Sequence, residues 1–170
     1  MSHPAGSLSD MDRREQPREG VFWDIQAGRV PTPPAAVTLG WEVVDVDPES
    51  GTLDLAFDAG ERFLNPAGTV QGGFLAAMLD DTMGPALVAT LPPGYFAPTL
   101  DLQVQFLRPA RPGRILGHGE VVKRGREVCF LSGRLTDAED RLLATGTATA
   151  RIQPMETPAA AVPPTSEQRG

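Results

Sequence analysis

Residues 65–84 read NPAGTVQGGFLAAMLDDTMG, and this stretch decides the fold. It opens on turn residues, Asn65-Pro66-Ala67-Gly68, and passes through Gly72 and Gly73 into a helical run. Phe74, Leu75, Ala76, Ala77, Met78, Leu79 and Met83 make that run apolar nearly all round. A helix of this kind is buried on every side. Two carboxylates, Asp80 and Asp81, nevertheless stand in its middle. A buried unpaired charge is costly, so a buried acid has a partner, a shifted pKa or a task. Pro85 comes late in the pattern and is expected to bend or end the helix there.

On the N-terminal side, Val21 to Ala27 reads as a short helix stopped by Gly28 and the prolines at 31, 33 and 34. Alternation follows. Val37, Leu39, Trp41 and Val43 point one way, then Asp47-Pro48-Glu49-Ser50-Gly51 turns, then Leu53, Leu55 and Phe57 alternate again. That pattern predicts a hairpin. Beyond the helix, Pro92-Pro93-Gly94 breaks the chain, and Leu100, Leu102, Val104 and Phe106 alternate with Asp101, Gln103 and Gln105. Three further strands are predicted over Ile115–Lys123, Glu127–Thr136 and Arg141–Ile152, with short links that make them antiparallel neighbours. The last of these carries Leu142, Ala144, Gly146, Ala148, Ala150 and Ile152 on one face, a small stripe that lets a helix lie close. The order is two strands, a buried helix, then four strands. One sheet wrapped round one apolar helix fits it. A single sheet cannot cover every side of such a helix, so a partner subunit is expected.

The 170-residue length suits one domain. Residues 1–19 are polar and 154–170 are rich in Pro and Ala, so both read as loose tails flanking a domain at 20–153. The N-terminal stretch has no apolar core, which speaks against a signal peptide. No run of about 18 apolar residues occurs, so no membrane span is expected. The net charge of −7 lacks the basic footprint of a nucleic-acid binder. Cys129 is the only cysteine, which excludes an internal disulfide and fits a reducing cytoplasm. No Ser-His-Asp order, nucleophile elbow or metal-ligand cluster is present, so the serine hydrolase and metalloenzyme readings fall away, and no cofactor is expected.

The run Asn65-x-x-Gly68-Thr69-x-Gln71-Gly72-Gly73, the apolar helix with an Asp, and Thr99-x-Asp-Leu-x-Val-x-Phe-Leu-Arg-Pro together resemble the hotdog-fold acyl-CoA thioesterases. The phenylacetate-degradation branch is the most similar, and the resemblance covers roughly residues 36–152. It implies an α+β hotdog fold, a curled antiparallel sheet wrapped round one long central helix. It also implies a homodimer, often a dimer of dimers, and hydrolysis of a CoA thioester without metal. By position, Asn65 matches a polar site residue and Gly72 the glycine whose N–H polarises the carbonyl. Asp80 matches the helix acid, acting as base or nucleophile, and Thr99 a hydroxyl that places water. Family members usually carry His where this chain has Gln71, which can orient groups but not titrate.

The chemistry follows from the residue types. A helix N-terminus offers unpaired N–H groups and a positive dipole end, and Gly72 and Gly73 leave it uncovered. That suits an oxyanion site, the role the resemblance implies for Gly72, while the same two glycines would also allow close helix–sheet packing. Asp80 lies eight residues on, roughly 12 Å along the axis, so the two cannot share one carbonyl within one chain. An antiparallel helix from a second subunit brings its own Asp80 to this Gly72. Asp81 is turned about 100° away and is expected to be ion-paired or to reach solvent. In a semi-apolar cleft the pKa of Asp80 is expected to rise. Lys123, Arg124 and Arg126 cluster at a hairpin, with Arg108 and Arg111 near another, and suit CoA phosphates. His118, in a Gly-His-Gly strand setting, reads as half-exposed rather than catalytic. Two other functions compete: a non-catalytic acyl-CoA binder, favoured by Gln71, and an acyl-thioester dehydratase, which needs a site His.

Overall fold

The computed structural model describes residues 18–155. Most of the two tails read from the sequence therefore lies outside the described residues. Helix α1 spans Val21–Gln26 and α2 spans Pro34–Leu39. Strands β1 (Glu42–Asp47) and β2 (Thr52–Ala59) follow, then a 3-10 turn at Glu61–Phe63 and the long helix α3, Gly72–Val88. The chain continues through β3 (Tyr95–Phe96), β4 (Thr99–Phe106), β5 (Gly113–Arg124), β6 (Val128–Asp137), β7 (Leu142–Arg151) and β8 (Gln153–Pro154).

Six strands form one antiparallel sheet in the order β1-β2-β5-β6-β7-β4. The sheet curls round α3, with β4 at one edge. Strands β3 and β8 make a separate two-stranded ribbon, in which Pro154 pairs with Tyr95. No helix among the described residues is long and apolar enough to cross a membrane.

Helix α3 packs on the sheet through Leu75, Met78, Leu79, Thr82, Met83, Ala86 and Leu87, all buried. Leu53, Leu55, Phe57, Ile115, Leu131, Leu135, Ala144 and Ala148 line the opposing face. The close approach depends on glycine. A Cβ at Gly117 would stand 2.5 Å from the Thr82 hydroxyl, and one at Gly119 would stand 2.6 Å from the Thr82 carbonyl oxygen. The helix is not covered all round. Gly73 and Ala77 are exposed on its far side, as a single sheet dictates.

Three local readings are corrected. Residues 34–39 are helical, so Val37 and Leu39 do not open the hairpin strand, and β1 begins only at Glu42. Pro34 starts that turn and Gly40, at φ 67°, closes it in the left-handed region. The turn puts Val37 in solvent and Leu39 in the core, where alternation had placed them together. Second, α3 runs three residues past Pro85. The proline removes only its own N–H, while its carbonyl still accepts from Ala89 at 2.9 Å. Third, a register shift between Thr99 and Asp101 turns Leu100 into solvent, 59% exposed, where alternation had placed it in one row with Leu102, Val104 and Phe106.

Candidate active site

The segment leading into α3 is built by Asn65. Its Oδ1 accepts from the N–H of Ala67 at 2.9 Å and of Thr69 at 3.2 Å, and its Nδ2 donates to Thr69 Oγ1 at 2.9 Å. The carboxamide thus replaces backbone partners inside a tight loop. Gly68, at φ 74°, completes the turn. Val70 N then donates to Ala110 O and Gln71 N to Phe63 O, both within 2.9 Å, so the chain is held as it turns into the helix.

Gln71 is the N-cap residue, extended at φ −59° and ψ 132°, and its side chain makes no capping bond. The next N–H groups, of Gly72 and Gly73, have no acceptor among the described residues. Nothing stands within 4 Å of a Cβ built at Gly73. At Gly72 the Cβ position is met by the ring of Phe106, 3.1–3.3 Å away. Two free donors and the positive end of a 17-residue helix therefore face outward beside an aromatic ring.

Two turns on, Asp80 reaches the edge strand. Thr99 Oγ1 donates to Asp80 Oδ1 at 2.8 Å. The expected helix acid and the expected strand hydroxyl are thus brought together, although 19 residues separate them. Asp81 points to the other flank, and here the expectation is corrected. It has no ion pair among the described residues, and its Oδ2 is sealed from solvent without a hydrogen-bond partner. Burial first, and the charge of Asp80 second, push its carboxyl up to about 6. Among the described residues no Lys, Arg or His comes within ion-pair distance of Asp81, and no cation offsets its burial.

The basic residues lie elsewhere in the single chain. Arg124 Nη1 donates to Thr90 O and Thr90 Oγ1, both at 3.2 Å, and so caps the far end of α3. Lys123 and Arg126 share that hairpin end, roughly 25 Å from Gly72 by the rise of the helix. Arg108 lies nearer the N-terminal end, where its N–H donates to Leu143 O and its Nη1 to Leu142 O. His118 is on the sheet face opposite α3, since its neighbours Gly117 and Gly119 meet Thr82. Its Nδ1 pairs with Asp54 Oδ1 at 2.6 Å in a groove of about 230 Å³ lined also by Leu116, Arg134 and Asp140. Phe106 was missed as a site residue, because alternation marks it only as inward-facing.

The family profile of the thioesterase superfamily matches residues 67–144, which include Gly72, Asp80 and Thr99. Among solved structures, a phenylacetic acid degradation-related protein of Ralstonia eutropha JMP134 is 43% identical, with a TM-score of 0.74 over 76% of this chain and 98% of that one. A variant of the phenylacetic acid degradation protein PaaI of Thermus thermophilus is 26% identical, with a TM-score of 0.63 over 70% of this chain and 98% of that one. A Streptococcus mutans UA159 protein bound to acetyl CoA is 21% identical, with a TM-score of 0.62 over 69% of this chain and 91% of that one, a likeness of fold. No curated protein matches the chain.

Proposed function

This chain belongs to the thioesterase superfamily, and we propose that it is an acyl-CoA thioesterase working at a site shared by two copies of itself. The observation that carries the reading is the Thr99–Asp80 hydrogen bond on the flank of a helix whose first two N–H groups are free. The acid and the free donors lie roughly 12 Å apart along α3, too far to act on one thioester. A second copy laid antiparallel against the open face of Gly73 and Ala77 closes that gap, giving two sites per dimer. Strand β4 also presents an unpaired edge that a second β4 would satisfy. The location is taken as cytoplasmic, and a dimer of dimers is the larger assembly consistent with the family.

In this reading the thioester carbonyl oxygen accepts from the Gly72 N–H, where backbone donor and helix dipole stabilise the developing oxyanion. Asp80 of the second copy removes a proton from the attacking water, or attacks the carbonyl itself to give, as the C–S bond breaks, a mixed anhydride that a water molecule then hydrolyses, regenerating the carboxylate. Its Oδ1 is held by Thr99, so Oδ2 is the oxygen left for chemistry. The C–S bond breaks, the thiolate of CoA leaves and takes up a proton, and the acyl group departs as the free acid. Gln71 and Gly73 flank the donor end. Asn65 supports it by shaping the loop that delivers Gly72. Lys123, Arg124 and Arg126 sit some ten residues along the partner-facing helix from Asp80, roughly 15 Å, a reach suited to the phosphates of an extended CoA.

Steady-state release of CoA thiol from a panel of acyl-CoAs tests this. Asp80→Asn keeps the size of the side chain and removes the base, so kcat falls at least about 10²-fold. Asp81→Asn leaves it within a few-fold. Loss of turnover in the Asp81 variant instead, or in neither, overturns the assignment. Stoichiometric binding of acyl-CoA without steady turnover identifies the chain as a binder.

A further inference from the structure

We propose that Phe106 sets the acyl specificity of this site, by walling off the space beside the Gly72 N–H so that acyl groups branched at the α-carbon are rejected. The inference rests on the thioesterase reading and extends it to the substrate class. Three observations carry it.

The ring stands where a side chain of residue 72 would stand. Its Cζ, Cε1 and Cε2 atoms lie 3.1–3.3 Å from the Cβ position of Gly72. A Cβ is about 2.5 Å from its own backbone nitrogen, so the ring tip is beside the proposed carbonyl donor. A carbonyl oxygen on that N–H, about 2.9 Å away, leaves the carbonyl carbon and its first substituent within contact of the ring.

The ring is large, apolar and 55% exposed, an unusual state for a Phe on the core side of a sheet. Its backbone is fixed. Phe106 pairs with Ala144 at the end of β4, and the next two N–H groups, of Leu107 and Arg108, both donate to Leu143 O. The wall is therefore rigid at its base and cannot retreat without breaking three backbone contacts.

Phe106, Val104 and Leu102 form one inward row along β4, paired with Ala144, Gly146 and Ala148. The row holds no polar side chain until Thr99 at the Asp80 end. An acyl chain suits such a lining, whereas the amide-bearing arm of CoA does not. The carbonyl substituent nearest Phe106 is thus the acyl α-carbon rather than the sulfur. A CH₂ or planar α-carbon passes the ring edge, and an added methyl meets it.

The test compares matched thioesters that differ only at that carbon: butanoyl-CoA with 2-methylpropanoyl-CoA, and phenylacetyl-CoA with 2-phenylpropanoyl-CoA. Wild-type protein favours the unbranched member by about 10- to 100-fold in kcat/KM, the range one misfit methyl commands. In Phe106→Ala the ratio falls about tenfold or more, and in Phe106→Leu it lies between, with thermal melts verifying that both variants fold. An unchanged ratio in the folded variants overturns the inference, even if both rates drop together. A wild-type protein that prefers branched thioesters overturns it as well. If the wild type hydrolyses none of the four, the thioesterase reading itself fails and takes the inference with it, and the wild-type rates alone separate that case from the others.

Discussion

Replacing Asp81 by Asn should make the protein more stable at pH 8 and leave it nearly unchanged at pH 4. The carboxyl is pushed up to about 6 by burial and by Asp80, against an unfolded value of 3.8. The folded state therefore holds the proton more tightly than the unfolded chain does. Below pH 3.8 both states are protonated and the acid costs nothing. As pH rises from 3.8 to 6 the unfolded chain releases its proton first, and stability is lost at about 1.4 kcal/mol per pH unit. Above pH 6 both states are ionised and the full penalty stands. The two-unit separation is worth about 3 kcal/mol, and allowing for the partly solvated side of the residue reduces this to about 1–3 kcal/mol. The asparagine is neutral at every pH and escapes it. Urea unfolding followed by the fluorescence of Trp23 and Trp41 measures the difference at the two pH values. A stabilisation equal at pH 4 and pH 8 would refute the linkage. A destabilisation at pH 8 would show instead that a cation holds Asp81 ionised in the assembled protein.

Two further outcomes follow from the geometry. Thr99→Val removes the hydroxyl that orients Asp80, and a hydrogen bond to a charged group is worth about 1.5–3 kcal/mol, so kcat should drop about 10- to 100-fold. Unfolding midpoints should stay close to wild type, and a variant with full turnover would remove Thr99 from the site. Gly119→Ala places a methyl 2.6 Å from the Thr82 carbonyl oxygen, rigid helix backbone, and should cost about 1–3 kcal/mol of stability. An unchanged Tm would mean that helix and sheet are less tightly apposed than these distances require.

Much of the fold is legible in the chain because it is written at short range. The alternation of Leu102, Val104 and Phe106, and of the small residues in β7, marks strands without reference to anything distant. The two glycines ahead of a run that is apolar nearly all round, save for Asp80 and Asp81, mark a helix largely enclosed by its surroundings. Period is ambiguous only where a segment is short. Six residues from Pro34 to Leu39 satisfy a strand pattern and a helical turn alike, and the left-handed Gly40 settles it against Asp58, 18 residues away.

The residue types of the site are also legible, since a free helix N-terminus, an acid and a hydroxyl are properties of the chain itself. Their relations are not. That Thr99 meets Asp80 and not Asp81 depends on which flank of α3 the edge strand passes. The raised carboxyl of Asp81 depends on burial by residues drawn from all over the sequence, with the charge of Asp80 beside it. Arg124 becomes a cap for Thr90, and Phe106 a neighbour of Gly72, only because the sheet order carries β5 and β4 past opposite ends of the helix. Away from the register shifts, periodicity fixes which side of a strand a residue faces. The partner across that face is fixed by strand order and helix placement, which arise from contacts dozens of residues apart and leave no local mark.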